Sequence, residues 1–495
     1  WGYTSRGIPR HLGIPRYRGS VAILAQAFEP RATRPASTGE APAKLVGSAP
    51  PWRKRLQTLR WSRSGTSRRA VSRIGTRASP LPTTDPRTWS SAGSAESLPV
   101  RFFCEPRFVQ QEIVPNLECW LEKRQVYPVD LHAKALARGL PTAGLAKDVQ
   151  SRYPKEIVPE GGFDALHELI YLDELAAAGP GGAMGQCGIN SMALPPVLFA
   201  GSPDVQAQVV DDVIAGRRNI SLAISEPSAG SDVAAIRATA KREGDHYRVN
   251  GQKKWITGGH MADFFTLAVR TGGPGGQGVS LLLVDRRTPG IEIRKMETQF
   301  DTCHGTTFIT FDNAMVPVSN LIGQEGAGFR YLLLNFNHER LVISVGTCRF
   351  ARLCYSEALK YSMRRKTFGK ALCEHQMIRW KLGEMLRQIE ALHDCNERVA
   401  FQYRSGVPDS RLGTQAALLK VMASKTFEYC AQEASQVFGG ASIVREGPGR
   451  VVERLYREVR ASAIPGGSEE VLLDLAARQA IAGACKFESA EQSKL

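Results

Sequence analysis

The chain has 495 residues, 43% apolar and 23% charged, an ordinary composition for a soluble globular protein and enough length for two to four domains. Its net charge of +16 is uneven: residues 1–90 hold 17 Lys and Arg against Glu29, Glu40 and Asp85, while the remainder holds 47 basic and 45 acidic residues. A body this close to neutral argues against a nucleic-acid partner. No apolar run approaches the ~20 residues that span a bilayer. Ten scattered cysteines, without CxxC pairs or ligand spacing, fit a reducing compartment and predict neither a disulfide framework nor a metal site.

Residues 1–96 are basic, rich in Arg, Ser, Pro and Gly, and lack sustained apolar periodicity. They read as an organelle transit peptide, with the mitochondrial matrix as destination; a disordered basic tail and a nucleic-acid arm are the alternatives. Residues 97–220 are helical in pattern. "DALHELIYLDELAAAG" is amphipathic and closed by Gly, and "SPDVQAQVVDDVIAG" opens on a Ser cap ahead of Pro. Over 221–323 the period changes to that of strands, with "HYRVNGQKKWITGG" predicting a hairpin at Asn250-Gly251. Residues 324–485 return to helical periodicity in four blocks, the first running to Gly369, and predict an antiparallel four-helix bundle; 486–495 read as a tail. The order α, β, α, without a GxGxxG after a strand, excludes a Rossmann sheet.

Four stretches carry chemistry. "AISEPSAGSDVAA" (223–235) gathers small residues where a strand gives way to a loop, so that backbone N–H groups can face an anion or a ring oxygen. Taken alone it also fits a simple turn. "KKWITGG" puts Trp255 and Thr257 on a strand, where a Trp taken alone is more often core than cofactor contact. "RRKTFGK" (364–370) ends a helix in cations that either complement the helix dipole or clamp a diphosphate through Arg365 and Thr367. "QVFGG" (436–440) is a helix-ending glycine pair.

Together these stretches resemble the acyl-CoA dehydrogenase family over roughly 97–485. The resemblance implies an α+β multi-domain fold: an N-terminal helical domain, a middle β-barrel and a C-terminal four-helix bundle. It implies FAD between barrel and bundle, an acyl-CoA substrate, a homotetramer or homodimer, and electron-transferring flavoprotein as acceptor. Carried over by position, Leu222, Ile224 and Ser225 would contact the isoalloxazine, with Trp255 and Thr257 along its other side. Arg365, Thr367 and Phe368 would reach the diphosphate of a neighbouring subunit's FAD, helped by Gln376, Gln436, Gly439 and Gly440. Ser468 and Glu470 would lie near the flavin, and Ser231, Phe336, Asn337, Arg340, Gly466 and Gly467 around the substrate. One departure is local: "GGASI" has Ser442 where the family has a third glycine, and the following loop is about three residues longer than usual.

The family's reaction, abstraction of an acyl-CoA α-proton with departure of the β-hydride, needs a desolvated carboxylate as base and hydrogen bonds to the thioester oxygen. In many members the base lies in "YEGT"; here the stretch reads "AIPGGSEE", with Gly466 in its place. The long-chain and isovaleryl branches carry it instead on the long bundle helix, in "ERL". This chain has "NFNHERLVIS", with Glu339 in that position among Phe336, Val342 and Ile343. Glu469 and Glu470 are the rival bases. An oxygen-reacting oxidase or monooxygenase on the same fold, and a catalytically silent scaffold, are the competing readings.

Overall fold

The computed structural model describes residues 108–121, 131–141, 147–179, 184–300 and 305–492. The expected leader, 1–96, and the first residues of the expected helical domain lie outside them.

The N-terminal part is helical, with α1 at Ala165–Leu175, α2 at Met184–Ala193 and α3 at Pro203–Ile214. The local chemistry sets the helix starts. The Asp164 carboxylate accepts the Leu166 and His167 N–H groups, and the His167 ring accepts the Asp164 N–H. Ser202 caps α3 through the Val205 N–H, with Pro203 in the first turn.

The middle domain comprises β1 (Ile220–Ala223), β2 (Thr239–Glu243), β3 (His246–Thr257), β4 (Phe264–Arg270), β5 (Val279–Asp285), β6 (Ile291–Met296), β7 (Thr306–Pro317) and β8 (Leu321–Ile322). The sheet runs β6-β7-β3-β2-β4-β5-β8, and β1 adds in parallel to β4 with Leu222 opposite Thr266. Only Thr239↔Arg270 joins β2 to β4. The sheet folds at this joint, so Tyr247, Val249 and Phe311 from one half share a core with Phe265, Leu267 and Val284 from the other. The expected barrel is therefore a sheet folded on itself, with β6 and β8 at its two edges.

Asn250-Gly251 does not turn the chain. Both residues lie inside β3, and the hairpin is made at Gly244-Asp245, between the paired Glu243 and His246. Gly251 instead serves a bulge: its φ is +138°, and a Cβ there would sit 2.6 Å from the Ala238 Cα.

The C-terminal part begins with α4 (Gly328–Arg364), a 37-residue helix about 55 Å long at ~1.5 Å per residue. It ends before the expected Gly369, because Arg365 turns extended and Phe368-Gly369, both at positive φ, close a two-residue hairpin between β9 (Lys366–Thr367) and β10 (Lys370–Ala371). The remaining helices are α5 (Gln376–Arg404), α6 (Asp409–Phe438), α7 (Arg450–Ala463) and α8 (Glu469–Gln492). Helix α7 was not foreseen as an element, so five helices stand where four were expected, and α8 continues through the segment read as a tail. Contacts fix the directions. Ser344 bonds Asn396 at 2.7 Å, so α5 runs against α4; Phe350 meets Phe427 and Tyr361 stacks on Phe438, so α6 runs with it. One apolar core joins α1 to the bundle through Leu169, Leu172, Val342 and Val345. Among the described residues Cys119, Cys348, Cys354, Cys373, Cys395 and Cys430 are free thiols, no group of side chains suits a metal, and no helix is long and apolar enough to cross a membrane.

The loop "SEPSAGSDVAA" is anchored by its acid. The buried Glu226 carboxylate accepts the Arg237 and Ala238 N–H groups at 2.6 and 2.9 Å and the Lys253 ammonium at 2.8 Å. Burial pushes Lys253 down to about 8, against the opposing pull of Glu226. Glu226→Ala would strand this ammonium, and a loss of about 3–5 kcal/mol is expected. Chemical denaturation followed by tryptophan fluorescence checks it; a loss below ~1 kcal/mol would mean that the loop is held by other contacts.

Candidate active site

Glu339 lies in the second quarter of α4 and is 6% exposed. The Asn335 amide, one turn earlier, donates from Nδ2 to Glu339 Oε1 at 2.6 Å and to the Met192 carbonyl, in the last turn of α2, at 2.9 Å. Burial pushes the Glu339 carboxyl up to about 8, partly opposed by His338, Arg340 and the Asn335 hydrogen bond.

The flanking cations are held by other partners. His338 Nε2 sits 2.9 Å from both carboxylate oxygens of Glu168 on α1. Burial alone would lower its pKa, but the charge and hydrogen bond of Glu168, with the charges of Glu339 and Asp409, together outweigh this and raise it to about 9, so the ring is cationic at neutral pH. Arg340 donates to Asn337 Oδ1 at 2.8 Å and to the Gly466 carbonyl at 3.2 Å. Asn337 donates in turn to Asp409 at 2.7 Å, where the Tyr403 hydroxyl also donates.

The loop after α7 is fixed against α4 from both sides. Lys420, fully buried on α6, donates to the Ala463 carbonyl and, at 3.0 Å, to that of Gly467. Burial lowers its pKa to about 8. Gly466 has φ +72°, and a Cβ there would stand 2.8 Å from Ile343 Cδ1 and 4.0 Å from Arg340 Cγ. Position 466 thus faces the same stretch of α4 that carries Glu339. The Ser468 N–H donates to Ser231 Oγ at 3.2 Å, tying the "AGSD" loop of the middle domain to this loop.

The rival carboxylates are in different states. Burial works to raise Glu469, but the Ser424 hydroxyl at 2.6 Å and Lys425 ammonium at 2.8 Å bring it below the usual carboxylate range. Glu470 is exposed and lowered by the backbone N–H at its own helix start and by Ser468.

On the sheet, Ile224 is buried and Leu222 and Ser225 are partly so. The Ile224 carbonyl accepts from Lys253 Nζ and the Ser225 carbonyl from the Lys254 N–H. Trp255 and Thr257 are exposed on one face of β3. Trp255 takes φ 61° at a bulge, is 48% exposed, and has the Lys254 ammonium 4.8 Å from its ring centre. A bulky residue thus takes a strained conformation and keeps its ring open to solvent. The sheet reaches Glu339 in few steps: Leu222 pairs with Thr266, whose hydroxyl donates to the Ala193 carbonyl, next to the Met192 carbonyl that holds Asn335.

The remaining candidates lie elsewhere. Arg365 follows the end of α4, about 38 Å along the axis from Glu339. Thr367, Phe368, Gln376, Gln436, Gly439 and Gly440 gather at that same end, since α5 begins and α6 stops there. All but Thr367 are exposed, Phe368 to 97%. Ser442 fits its turn without strain: its hydroxyl donates to the Gly439 carbonyl at 2.8 Å and lies 2.8 Å from Ser435 Oγ. Sequence reasoning passed over Asn335, His338, Glu168 and Lys420. The four-residue spacing of Asn335 and Glu339 on a helix was a usable signal; the Lys420 contacts, 43 and 47 residues away along the chain, left none.

Helical domain, folded sheet and bundle thus come together around a buried carboxyl with a raised pKa, on an α–β–α fold. Comparison with known proteins gives the class its name. The N-terminal, middle and C-terminal domains of acyl-CoA dehydrogenase match residues 106–217, 221–314 and 326–481. The chain is 40% identical over 341 residues to the acyl-CoA dehydrogenase apdG of Emericella nidulans, spanning 67% of this chain and 77% of that protein. It is 35% identical over 383 residues to the acyl-CoA dehydrogenase AFT10-1 of Alternaria alternata, spanning 75% and 88%. The crystal structure of a probable acyl-CoA dehydrogenase from Mycobacterium abscessus superimposes with a TM-score of 0.69 at 34% identity, over 77% of this chain and 97% of that one. This chain belongs to the acyl-CoA dehydrogenase family.

The raised Glu339 pKa has a consequence for stability. The unfolded carboxyl ionises near 4.5 and the folded one near 8, so the folded state binds the extra proton between these values and loses stability as pH rises through them. Glu339→Gln, whose amide oxygen can still accept from Asn335, should therefore stabilise the protein by on the order of 2–4 kcal/mol above pH 8, with the gain fading towards pH 5. Denaturation at pH 5 and pH 8.5 tests this, and an equal difference at both would contradict the burial argument.

Proposed function

We propose that this chain is an FAD-dependent acyl-CoA dehydrogenase that converts an acyl-CoA to its trans-2-enoyl-CoA, with Glu339 as the base for the α-proton. The observation that carries the reading is Glu339 itself: a carboxyl buried on α4 and raised to about 8, on the stretch of helix whose next residues, Arg340 and Ile343, pack against Gly466. The exposed, strained Trp255 beside Thr257, and the Leu222–Ser225 segment tethered to Glu339 through Thr266 and Met192, fit the ring of a flavin. FAD, when bound, supplies the acceptor for the β-hydride.

This chain's own residues do the rest. Ser231, Gly466 and Gly467 border the thioester, with Arg340 and Lys420 holding the loop that carries the two glycines. Phe336 packs against the apolar core that also receives Leu222, giving an apolar wall for the acyl group. The Glu339 carboxylate takes the α-proton, and the electron pair stays on the substrate until the β-hydride leaves. Neutralising the carboxylate in a dry site lets a weak carbon acid be matched by a base of comparable strength. The exposed group at the far end of the bundle, Arg365, Phe368, Gln436 and Gly440, supports a neighbouring subunit whose FAD diphosphate it would clamp. The family resemblance supports electron-transferring flavoprotein as the acceptor of the electrons.

Anaerobic mixing with short, long and branched acyl-CoAs, following flavin absorbance, tests the reading. The wild type should bleach, and Glu339→Gln should bleach about 10²–10⁴-fold more slowly. Since the base must be ionised, kcat/KM should rise with pH and level off above about 8. Equal bleaching by both proteins would move the base off Glu339; no bleaching by either, despite bound FAD, would point to a silent protein.

A further inference from the structure

We infer that Asn335 is the positioning residue of the base: it holds Glu339 Oε1 and leaves Oε2 as the atom that receives the substrate proton. The inference rests on the reading of Glu339 as base.

The geometry allows the Asn335 amide one orientation. An asparagine amide can turn either its NH2 or its oxygen towards a neighbour, and nothing in an isolated pair decides which. Here a second partner decides. The Met192 carbonyl, among the last of α2, has no helical partner of its own and accepts from Asn335 at 2.9 Å. A carbonyl only accepts, so the NH2 group must face it, and the same NH2 then offers its other proton to Glu339 Oε1 at 2.6 Å. Flipping the amide would set two oxygens against each other at Met192 and again at an ionised Glu339.

The consequence is chemical. A donor fixed on a carboxylate favours the ionised form, and Asn335 is buried, so this bond is not exchanged for one to water. It opposes the burial that keeps Glu339 protonated. Because the donor occupies one oxygen, it also sets the rotation of the carboxylate. The other charged groups around Glu339 are all engaged: His338 with Glu168 of α1, Arg340 with Asn337 and the Gly466 carbonyl, Asp409 of α6 with Asn337 and Tyr403 of α5, and Lys420 of α6 with the 463–467 loop. His338 and Arg340 act on Glu339 through space, whereas Asn335 is the hydrogen-bond donor at its carboxylate.

A purely structural Asn335, a tether between α2 and α4, would have a different signature. The test compares holoenzyme wild type, Asn335→Asp, Asn335→Ala, Glu339→Gln and the Asn335→Asp/Glu339→Gln double variant by anaerobic flavin reduction with a saturating acyl-CoA and by kcat/KM from pH 6 to 9.5. Asn335→Asp keeps shape and volume but places an acceptor where the donor was. The acid limb of its kcat/KM profile should move up by one pH unit or more, the rate at pH 7 should fall at least tenfold, and part of the loss should return above pH 9. Asn335→Ala should move the limb in the same direction and serves if the Asp variant does not take up FAD. In the Glu339→Gln background the second substitution should change the residual rate less than threefold. A loss of equal size at every pH, accompanied by a lowered Tm, would make Asn335 a tether and overturn the inference. So would wild-type profiles in both variants. If Glu339→Gln alone keeps the full rate, it is the base assignment that fails, and the role of Asn335 falls with it.

Discussion

The contact between helix α4 and the N-terminal helices is the constraint on which the rest depends. It is apolar along most of its length, where Leu169 and Leu172 share a core with Val342 and Val345, yet polar partners interrupt it in two pairs. Asn335 meets the Met192 carbonyl, His338 meets Glu168, and Arg349 and Arg352 both meet Asp173. These positions recur at helical spacing on one side of α4. Burying any of these groups alone would cost more than its packing returns, so each fixes the rotation and the height of α4 against its neighbours. Glu339 is placed by that registration. One turn out of step, Asn335 would still reach Glu339 on its own helix but would lose the Met192 carbonyl that fixes its amide.

The electrostatics of the site follow from the same arrangement. Burial favours the neutral carboxyl, while two cations and one amide donor favour the charged one, and the balance falls near 8. The cations do not form an ion pair with Glu339 because each is committed elsewhere, His338 to Glu168 and Arg340 to a carbonyl and an amide. Had either closed on Glu339 directly, the carboxyl would be drawn down, as Glu469 is by Lys425 and Ser424. Glu339 is also the more deeply enclosed of the two, so its burial and its neighbours' other commitments both separate it from Glu469.

What could be read from the chain divides along physical lines. The Ser202 cap, the Asp164 start, the long helix and the strand-rich middle were legible because each rests on residues close in sequence. Glu339 was legible because an acid among Phe336, Val342 and Ile343 breaks the pattern of its own helix, and the family resemblance gave that break a meaning. Asn250-Gly251 misled because the same pair that suits a tight turn also suits a bulge, and only the approach of Ala238 decides between them. Helix α7 was hidden by the prolines and glycines ahead of it. Lys420 was illegible in principle: its partners are backbone carbonyls, which every residue has, and only the folded chain brings them within reach.

The bundle also separates two kinds of chemistry along one axis. In its second quarter α4 carries Glu339, held by Asn335; about 38 Å on, it stops in a hairpin that leaves Phe368 almost wholly in solvent beside Arg365. A single ligand cannot span these groups within one chain, because the helix between them is straight-through core, with Ser344, Cys348, Ala351 and Ala358 buried along it. The exposed aromatic and the basic hairpin therefore form a surface separate from the surroundings of Glu339. The α5 start and the α6 end converge on the same corner, so the surface is built from three separate segments that the bundle holds rigidly together. A loop alone could drift relative to its surroundings; a corner fixed by three helix ends keeps its geometry whatever happens at the carboxylate.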